Sequence, residues 1–159
     1  GLAAWDEADS DLIETAFALL ERCEIDMSLF FRLLAQVDPR APQRHVLLEA
    51  AYHPERFALH AEEIDQWLRD WAARVLADGE PDATRVKRMH AVNPRYVLRN
   101  YLAQQAIDRA EQGDVSLLHE LLELLRHPYD EQADKAAFAA KRPDWAKQRA
   151  GCSMLSCSS

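Results

Sequence analysis

The sequence has little glycine and no long apolar run. Only four of its 159 residues are glycine, and none of them lies inside a segment with helical spacing of apolar residues. A glycine costs about 1 kcal/mol in a helix interior and commonly follows a helix end, so this scarcity favours uninterrupted helices. The apolar runs are only a few residues long, whereas a membrane helix needs about 20. We therefore expect neither a membrane span nor a membrane partner.

Signals for β-structure are also missing. No pair of alternating, β-branched runs flanks an Asn-Gly or Asp-Gly turn, and the seven prolines lie between apolar stripes rather than within them. The sequence therefore predicts an all-α fold of five to seven helices with a flexible tail of serine and cysteine. We expect a helical domain over residues 1–128 and an irregular C-terminal extension over 129–159.

Apolar spacing and capping residues place individual helices. Asp26 is predicted to cap a short helix, and residues 54–78 are predicted to form the longest helix. Asn93 followed by Pro94 has the form of an N-cap with proline at the first helical position. We therefore expect Asn93 to begin a helix that ends near Gly113, and Asp114 to cap the next one.

The chain lacks the usual catalytic and ligand-binding motifs. It has no glycine-rich phosphate loop, no Gly-x-Ser-x-Gly, no His-Arg-Asp or Asp-Phe-Gly, and no Cys-x-x-Cys or His-x-x-x-His. We therefore assign no catalytic residue, metal ligand or nucleotide-binding residue within it. The histidine–glutamate pairs Glu49/His53 and His119/Glu123 are predicted to be surface ion pairs. Trp67 and Trp71 are predicted to belong to the core.

The charge balance argues against a nucleic-acid partner. The formal net charge is −8, and proteins that bind phosphate backbones need Lys and Arg to replace counterions. The cluster Arg85, Lys87 and Arg88 is too small for such an interface, so we expect a solvated helix face there. The chain has no basic segment followed by an apolar leader, so we expect no export signal, and the missing initial Met suggests a processed or excised piece.

The three cysteines differ in setting. Cys23 lies on an apolar stripe and is predicted to be a buried, inert thiol. Cys152 and Cys157 lie in the serine-rich end, where an exposed thiol on a mobile arm could reach a partner thiol. From the residues alone, two interpretations remain open for this end: a redox site or a pair of incidental thiols.

Several strings in the right order resemble the C-terminal part of the selenoprotein O family, also called SelO or YdiU. The most distinctive is Asn-Pro-Arg-Tyr-Val-Leu-Arg-Asn-Tyr over Asn93–Tyr101. It is preceded by Asp-Met-Ser-Leu-Phe-Phe-Arg over Asp26–Arg32 and followed by Gly113-Asp114, Pro128–Glu131 and the terminal Ser156–Ser159. The resemblance runs from about residue 10 to the last residue.

This resemblance implies a protein-kinase-like parent fold and a protein adenylyltransferase. Such an enzyme transfers AMP from ATP to Ser, Thr or Tyr of protein substrates with Mg or Mn. The family's nucleotide- and metal-binding residues lie upstream of the matched part, so the resemblance implies that this chain alone binds no cofactor and is inactive. Its partner would be the upstream kinase-like lobe.

The resemblance also implies a role for Cys157. In animal relatives the selenocysteine stands third from the end, where Cys157 stands here. In bacterial relatives the corresponding cysteine is implicated in a regulatory disulfide with a thiol of the catalytic part. Met154 stands where animal relatives carry a second cysteine, and Cys152 is two residues further away, so a local Cys-x-x-Cys pair is absent.

The sequence therefore leaves two hypotheses for the function of the chain. In the first, the chain supports a kinase-like lobe and carries a regulatory cysteine, Cys157, with Cys152 as a possible secondary thiol. The resemblance then implies a cytoplasmic protein in bacteria and a mitochondrial one in eukaryotic relatives. In the second, the chain is a free-standing all-helical interaction module without catalysis.

Overall fold

A computed structural model describes residues 1–149 and 151–152 and confirms the all-α prediction. The described residues form seven α-helices and contain no β-sheet, with one isolated bridge between Ile25 and Ala51. The α-helices are α1 (Ser10–Arg22), α2 (Met27–Leu34), α3 (Pro54–Leu59), α4 (Ala61–Ala77), α5 (Asp82–Val92), α6 (Asn100–Ala110) and α7 (Ser116–Arg126). Short 3-10 helices occupy Glu7–Asp9, Arg44–Ala50, Ala136–Ala139 and Asp144–Lys147.

The described helices are too short or too polar for any of them to cross a lipid bilayer. The chain divides into two compact units, one formed by Gly1–Asn93 and one that begins at Pro94. The first unit contains α1 to α5, and the second contains α6 and α7. Each unit has its own apolar core.

The core of the first unit is built on the amphipathic helices α1 and α4. Both carry apolar residues at helical spacing, and this spacing places them on one face of each helix. Trp67 of α4 is buried, and its indole Nε1 donates a hydrogen bond to the carbonyl of Leu12 at 2.8 Å. The other buried side chains of the two helices are Ala16, Leu19, Leu20, Ile64, Leu68, Trp71, Ala72 and Val75.

The predicted cap of α2 is confirmed. Asp26 has an extended backbone, and its carboxylate accepts the backbone N–H of Leu29 at 3.0 Å. The second carboxylate oxygen accepts the hydroxyl of Tyr52 at 2.9 Å. A buried carboxylate needs such donors, so Asp26 fixes both the start of α2 and the loop that carries Tyr52.

Two arginines cap the C-terminal ends of each other's helices. Arg85 of α5 donates to the carbonyls of Ala35 and Val37, just after α2, at 3.1 and 3.2 Å. Arg32 of α2 donates to the carbonyls of His90 and Asn93, at the end of α5, at 3.2 and 3.1 Å. The last carbonyls of a helix lack intrahelical partners and carry partial negative charge, which is what a guanidinium satisfies.

The prediction that Arg85 lies on a solvated helix face is wrong. Its side chain is 1% exposed, it contacts Asp82 at 2.7 Å, and its guanidinium lies 5.4 Å from the ring centroid of Trp71. The carbonyls beyond α2 supply buried acceptors that the local sequence around Arg85 does not reveal. Lys87, two residues along the same helix, is exposed as expected.

The prediction that Asn93 begins a helix is also wrong. Asn93 ends α5, and its side-chain Nδ2 donates to the carbonyl of Met89 at 2.8 Å. The next residues are held in a non-helical loop because the backbone N–H groups of Arg95 and Tyr96 both donate to the carbonyl of Pro128, at 2.7 and 3.0 Å. The following helix, α6, therefore begins only at Asn100.

The predicted long helix over residues 54–78 is interrupted. His60 has φ −100° and ψ 21°, outside the α-helical region, and separates α3 from α4. Its imidazole Nδ1 lies 2.9 Å from the carboxylate of Glu63 in the first turn of α4. Gly79 follows α4 with φ +66°, in the left-handed conformation that suits glycine after a helix.

We predict that Arg85→Ala strongly destabilises the first unit. The substitution leaves the carbonyls of Ala35 and Val37 buried without their donor and opens a space beside Trp71, which should cost about 2–4 kcal/mol. Thermal unfolding followed by circular dichroism should show a midpoint lower by about 5–15 °C. The matched control is Lys87→Ala, which removes the same charge from the exposed face of the same helix. Equal midpoints for the two variants would contradict the capping role.

Candidate functional site

The site residue implied by the family resemblance lies outside the described part. Cys157 belongs to residues 153–159, which the structure does not describe. Cys152 is described, and it is not exposed as the tail interpretation expected, because its side chain is only 4% accessible. It packs in the core of the second unit, and its backbone N–H donates to the carbonyl of Arg149 at 3.1 Å.

A set of contacts holds the segment that leads to Cys152 against α6. The rings of Trp145 and Tyr101 pack edge to face, with their centroids 6.0 Å apart. The guanidinium of Arg149 lies 5.9 Å from the ring centroid of Trp145 and forms an ion pair with Asp108. We call these four residues, with Gln104, the C-terminal clamp.

Gln104 contributes to the clamp in two ways. Its Nε2 donates to Asp108 at 2.9 Å, and this bond, followed by the Arg149 contact, lowers the pKa of the Asp108 carboxyl. Its Oε1 would lie 2.2 Å from a Cβ built at Gly151, which has φ +83°. The left-handed backbone favours glycine at this position, and a larger residue would have to displace the end of the Gln104 side chain, so the chain passes close to α6 just before Cys152.

Cys23 is confirmed as a buried thiol. Its side chain has no exposed surface and lies in the core of the first unit. Burial raises the pKa of the Cys23 thiol, since the thiolate loses its hydration there. A thiol with a raised pKa has less of the reactive thiolate at neutral pH.

Carboxylate contacts are formed by His53, His60 and His127. His53 does not pair with Glu49 as predicted. Its Nε2 lies 3.4 Å from the carboxylate of Glu24, and its Nδ1 lies 3.0 Å from that of Glu55. His53 directly precedes α3, which begins at Pro54, and Glu55 lies in the first turn of that helix. Among the described residues, no three His, Cys, Asp or Glu side chains converge as metal ligands would.

The first unit has an apolar cleft of about 380 Å³. Its walls come from α1, α2 and α4 and from the first five residues of the chain; they include Leu12, Ile13, Phe17, Phe31, Trp67 and Trp71. Phe17 is 49% exposed, and its ring packs edge to face on that of Phe31, with the two centroids 6.5 Å apart. Trp5, at the rim, is 66% exposed. The volume falls within the range of pockets that hold small ligands or single anchoring side chains.

Four hydrogen bonds hold the backbone of the first residues along this cleft, and one of them joins Arg88 to the carbonyl of Gly1 at 3.0 Å. The backbone N–H of Ala3 donates to Asp78 at 2.8 Å, and together with Arg74 it lowers the pKa of that carboxyl. Arg74 donates to the carbonyl of Ala4 at 3.2 Å, and Arg88 donates to the carbonyl of Leu2 at 2.7 Å. The segment is thus fixed by polar groups of α4, Asp78 and α5, and Leu2 also packs against the core of the first unit.

The cleft also contains an unusual buried donor. Trp71 is 2% exposed, and its indole Nε1–H has no acceptor among the described residues. A buried donor without a partner costs about 1–3 kcal/mol, whereas the neighbouring Trp67 uses its N–H on Leu12. The interpretation of Trp67 and Trp71 as core residues is confirmed, and the same side chains form the cleft wall.

An acidic groove adjoins the cleft. Leu12 and Trp67 line both, and the groove adds Asp6, Asp11 and Glu62 among other polar residues. The whole formal charge of −8 falls on residues 1–93, since residues 94–159 carry equal numbers of acidic and basic residues. On the side of this groove the cleft is therefore bordered by more carboxylates than guanidinium groups, since Arg69 and Arg74 are the basic residues there.

Sequence reasoning did not identify this cleft. Ile13 and Phe17 are four residues apart on α1, next to the buried stripe of Ala16 and Leu20. Ile13 and Phe17 widen the apolar face of α1 beyond the stripe that packs against the core. An apolar face of this width could have been recognised in the sequence as a sign of a second contact surface.

Comparison with known proteins gives a consistent set of matches. The family model described as "Protein adenylyltransferase SelO" matches residues 1–126. A protein of Xanthomonas campestris pv. campestris (strain B100), named "Protein nucleotidyltransferase YdiU", is 55% identical over 159 residues. Proteins of the same name from Tolumonas auensis and Aromatoleum aromaticum are 54% and 53% identical over the same 159 residues.

These matches cover all of this chain but only a part of each relative. The chain spans 31% of the Xanthomonas and Tolumonas proteins and 30% of the Aromatoleum protein. It corresponds to a C-terminal part of those proteins. About two thirds of their length therefore lies outside the structure described above.

We predict that Cys23 and Cys152 both resist alkylation in the folded chain. Their side chains are 0% and 4% exposed, so the native rates should be at least about tenfold lower than those in denaturant. Peptide-resolved mass spectrometry after treatment with iodoacetamide measures each thiol separately. Rapid labelling of Cys152 in the native state, with Cys23 still protected, would contradict the C-terminal clamp.

Proposed function

Because the chain belongs to the protein adenylyltransferase SelO family, we propose that it is the C-terminal helical part of an enzyme that transfers AMP from ATP to protein hydroxyls. The observation that carries this proposal is the match of the family over residues 1–126 together with 55% identity over the full chain to a protein nucleotidyltransferase. Ser, Thr and Tyr side chains are the acceptors that the family resemblance implies.

In this proposal the chemistry belongs to the rest of the protein. ATP and Mg or Mn are held by the kinase-like part that precedes this chain, and the helical units support that part. The described residues offer no converging set of metal-ligating side chains, and their cleft is apolar. We therefore propose no catalytic role for them. This chain on its own is proposed to be inactive.

We further propose that Cys157 is the regulatory thiol and that the C-terminal clamp sets its reach. Cys157 follows Cys152 by five residues, so its Cα lies at most about 18 Å from that of Cys152. Disulfide-bonded cysteines have Cα atoms about 4.4–6.8 Å apart, so a partner cysteine must have its Cα within about 25 Å of Cys152. Cys152, which is buried, serves at most as a secondary thiol after the clamp opens.

Organisation and location follow the same proposal. Residues 1–128 form the helical support, and residues 129–159 form the extension that carries the terminal Ser-Cys-Ser-Ser sequence. We propose a cytoplasmic protein in a bacterial host, where a reducing environment makes a disulfide of Cys157 a switch rather than a permanent crosslink.

The proposal is tested with the full-length parent protein and labelled ATP. Incubation with Mg or Mn and candidate proteins should place the label on protein hydroxyls, and this chain alone should place none. Phosphate-labelled AMP must remain attached through denaturing electrophoresis, since the proposed product is a covalent phosphodiester. A full-length protein that transfers no AMP under any of these conditions, while still folding cooperatively, would favour the non-catalytic interaction module.

The regulatory role predicts a specific effect of one substitution. In the full-length protein, oxidant should change the rate of AMP transfer, and Cys157→Ser should abolish that sensitivity while leaving the reduced rate unchanged. Cys152→Ala is the matched control, because it removes the nearby thiol and should leave the oxidant response intact. Equal oxidant sensitivity in Cys157→Ser and the unmodified enzyme would contradict the role of Cys157.

A further inference from the structure

We propose that the apolar cleft of the first unit is the surface on which the preceding part of the same polypeptide docks. The occupant is an apolar side chain of that part, with a basic residue on the side of the acidic groove. This inference rests on the proposed function only for the existence of the preceding part, and it assigns a specific surface to the contact.

The length of chain outside the structure supports this occupant. The relatives contain about two thirds of their length beyond the part matched here, and this chain corresponds to their C-terminal part. Residues Gly1 to Trp5 line the cleft, so any polypeptide joined to Gly1 departs from the cleft wall itself. A segment tethered this close has a high effective concentration at the cleft, which favours it over a separate molecule.

The exposed aromatic surface supports it as well. Phe17 and Trp5 are 49% and 66% exposed, although they adjoin a cleft in which Phe31 and Trp67 are already largely covered. Exposed apolar side chains that cluster around a depression are typical of interaction surfaces, and large aromatic residues supply most of the contact energy in such sites. The docked side chain would complete the burial of Phe17 and Trp5.

Charge defines the border of the occupant. Asp6 and Asp11 line the groove next to the cleft, and Leu12 and Trp67 are shared by both. The groove also contains Arg69 and Arg74, but its carboxylates outnumber them, which favours Lys or Arg over Asp or Glu at this one edge of the docked surface. A second copy of this unit would bring its own net negative charge to the acidic border, which argues against self-association through the cleft.

The test uses thiol accessibility in the full-length protein. Phe17→Cys is compared with Leu48→Cys, because Leu48 is 42% exposed, lies in the same unit and does not line the cleft. In a Cys157→Ser background, the introduced thiol at position 17 should alkylate at least about tenfold more slowly than that at position 48, and both should react equally in denaturant. Similar native rates at the two positions would overturn the proposal.

Two additional measurements keep the result decisive. If Phe17→Cys lowers the unfolding cooperativity, Trp5→Cys reports on the same surface from the rim. A photo-crosslinking amino acid at position 17 identifies the occupant: crosslinks to peptides that precede Gly1 in the same molecule support the proposal. Crosslinks to a second molecule, or protection that disappears on dilution, would overturn it.

The docking result is separable from the proposed function. Protection of position 17 in a full-length protein that transfers no AMP would leave the docking surface standing and remove the adenylyltransferase proposal. A full-length protein that transfers AMP while the thiol at position 17 reacts at its unprotected rate would support the adenylyltransferase proposal and overturn the docking surface.

Discussion

The first unit depends on the pair of arginines that cap each other's helices. Arg32 and Arg85 each satisfy two carbonyls at the end of the opposite helix, so α2 and α5 are fixed at both contact points. A buried guanidinium is tolerable only where such acceptors surround it, and removal of either partner leaves uncompensated polar groups. Arg85 also lies over Trp71, and through that contact the capping pair supports the wall of the apolar cleft.

The two units use different interactions to fix the chain beside the apolar cleft and before Cys152. In the first unit, Arg74 donates to the carbonyl of Ala4 and Arg88 to those of Gly1 and Leu2, which holds this backbone beside the cleft. In the second, the clamp of Tyr101, Gln104 and Arg149 fixes the chain just before Cys152. In both units, polar or aromatic side chains of the helices bind an adjoining segment of the chain. The proposals above need both segments to be held in place: residues 1–5 lead to the preceding part, and the residues before Cys152 lead to Cys157.

The helical class, the cap at Asp26 and the burial of Cys23 were all readable from the sequence, because they follow from local spacing and side-chain chemistry. Asn93 and Arg85 were misassigned because distant carbonyls decided their roles: Pro128 holds Arg95 and Tyr96 out of a helix, and Ala35 and Val37 bury Arg85. The burial of Cys152 was missed for the same reason, since the apolar cluster to which it belongs is formed largely by α6 and α7, which lie far from it in sequence. The candidate cleft requires three helices to converge, which no single segment encodes.

We propose above that this helical part supports the rest of an adenylyltransferase without contributing a catalytic group. The most direct measurement is co-expression of the two parts of the parent protein as separate chains, followed by an assay of AMP transfer. The account predicts little or no transfer by the preceding part alone and recovery of transfer when this chain is present. Full activity of the preceding part without this chain would contradict the supporting role.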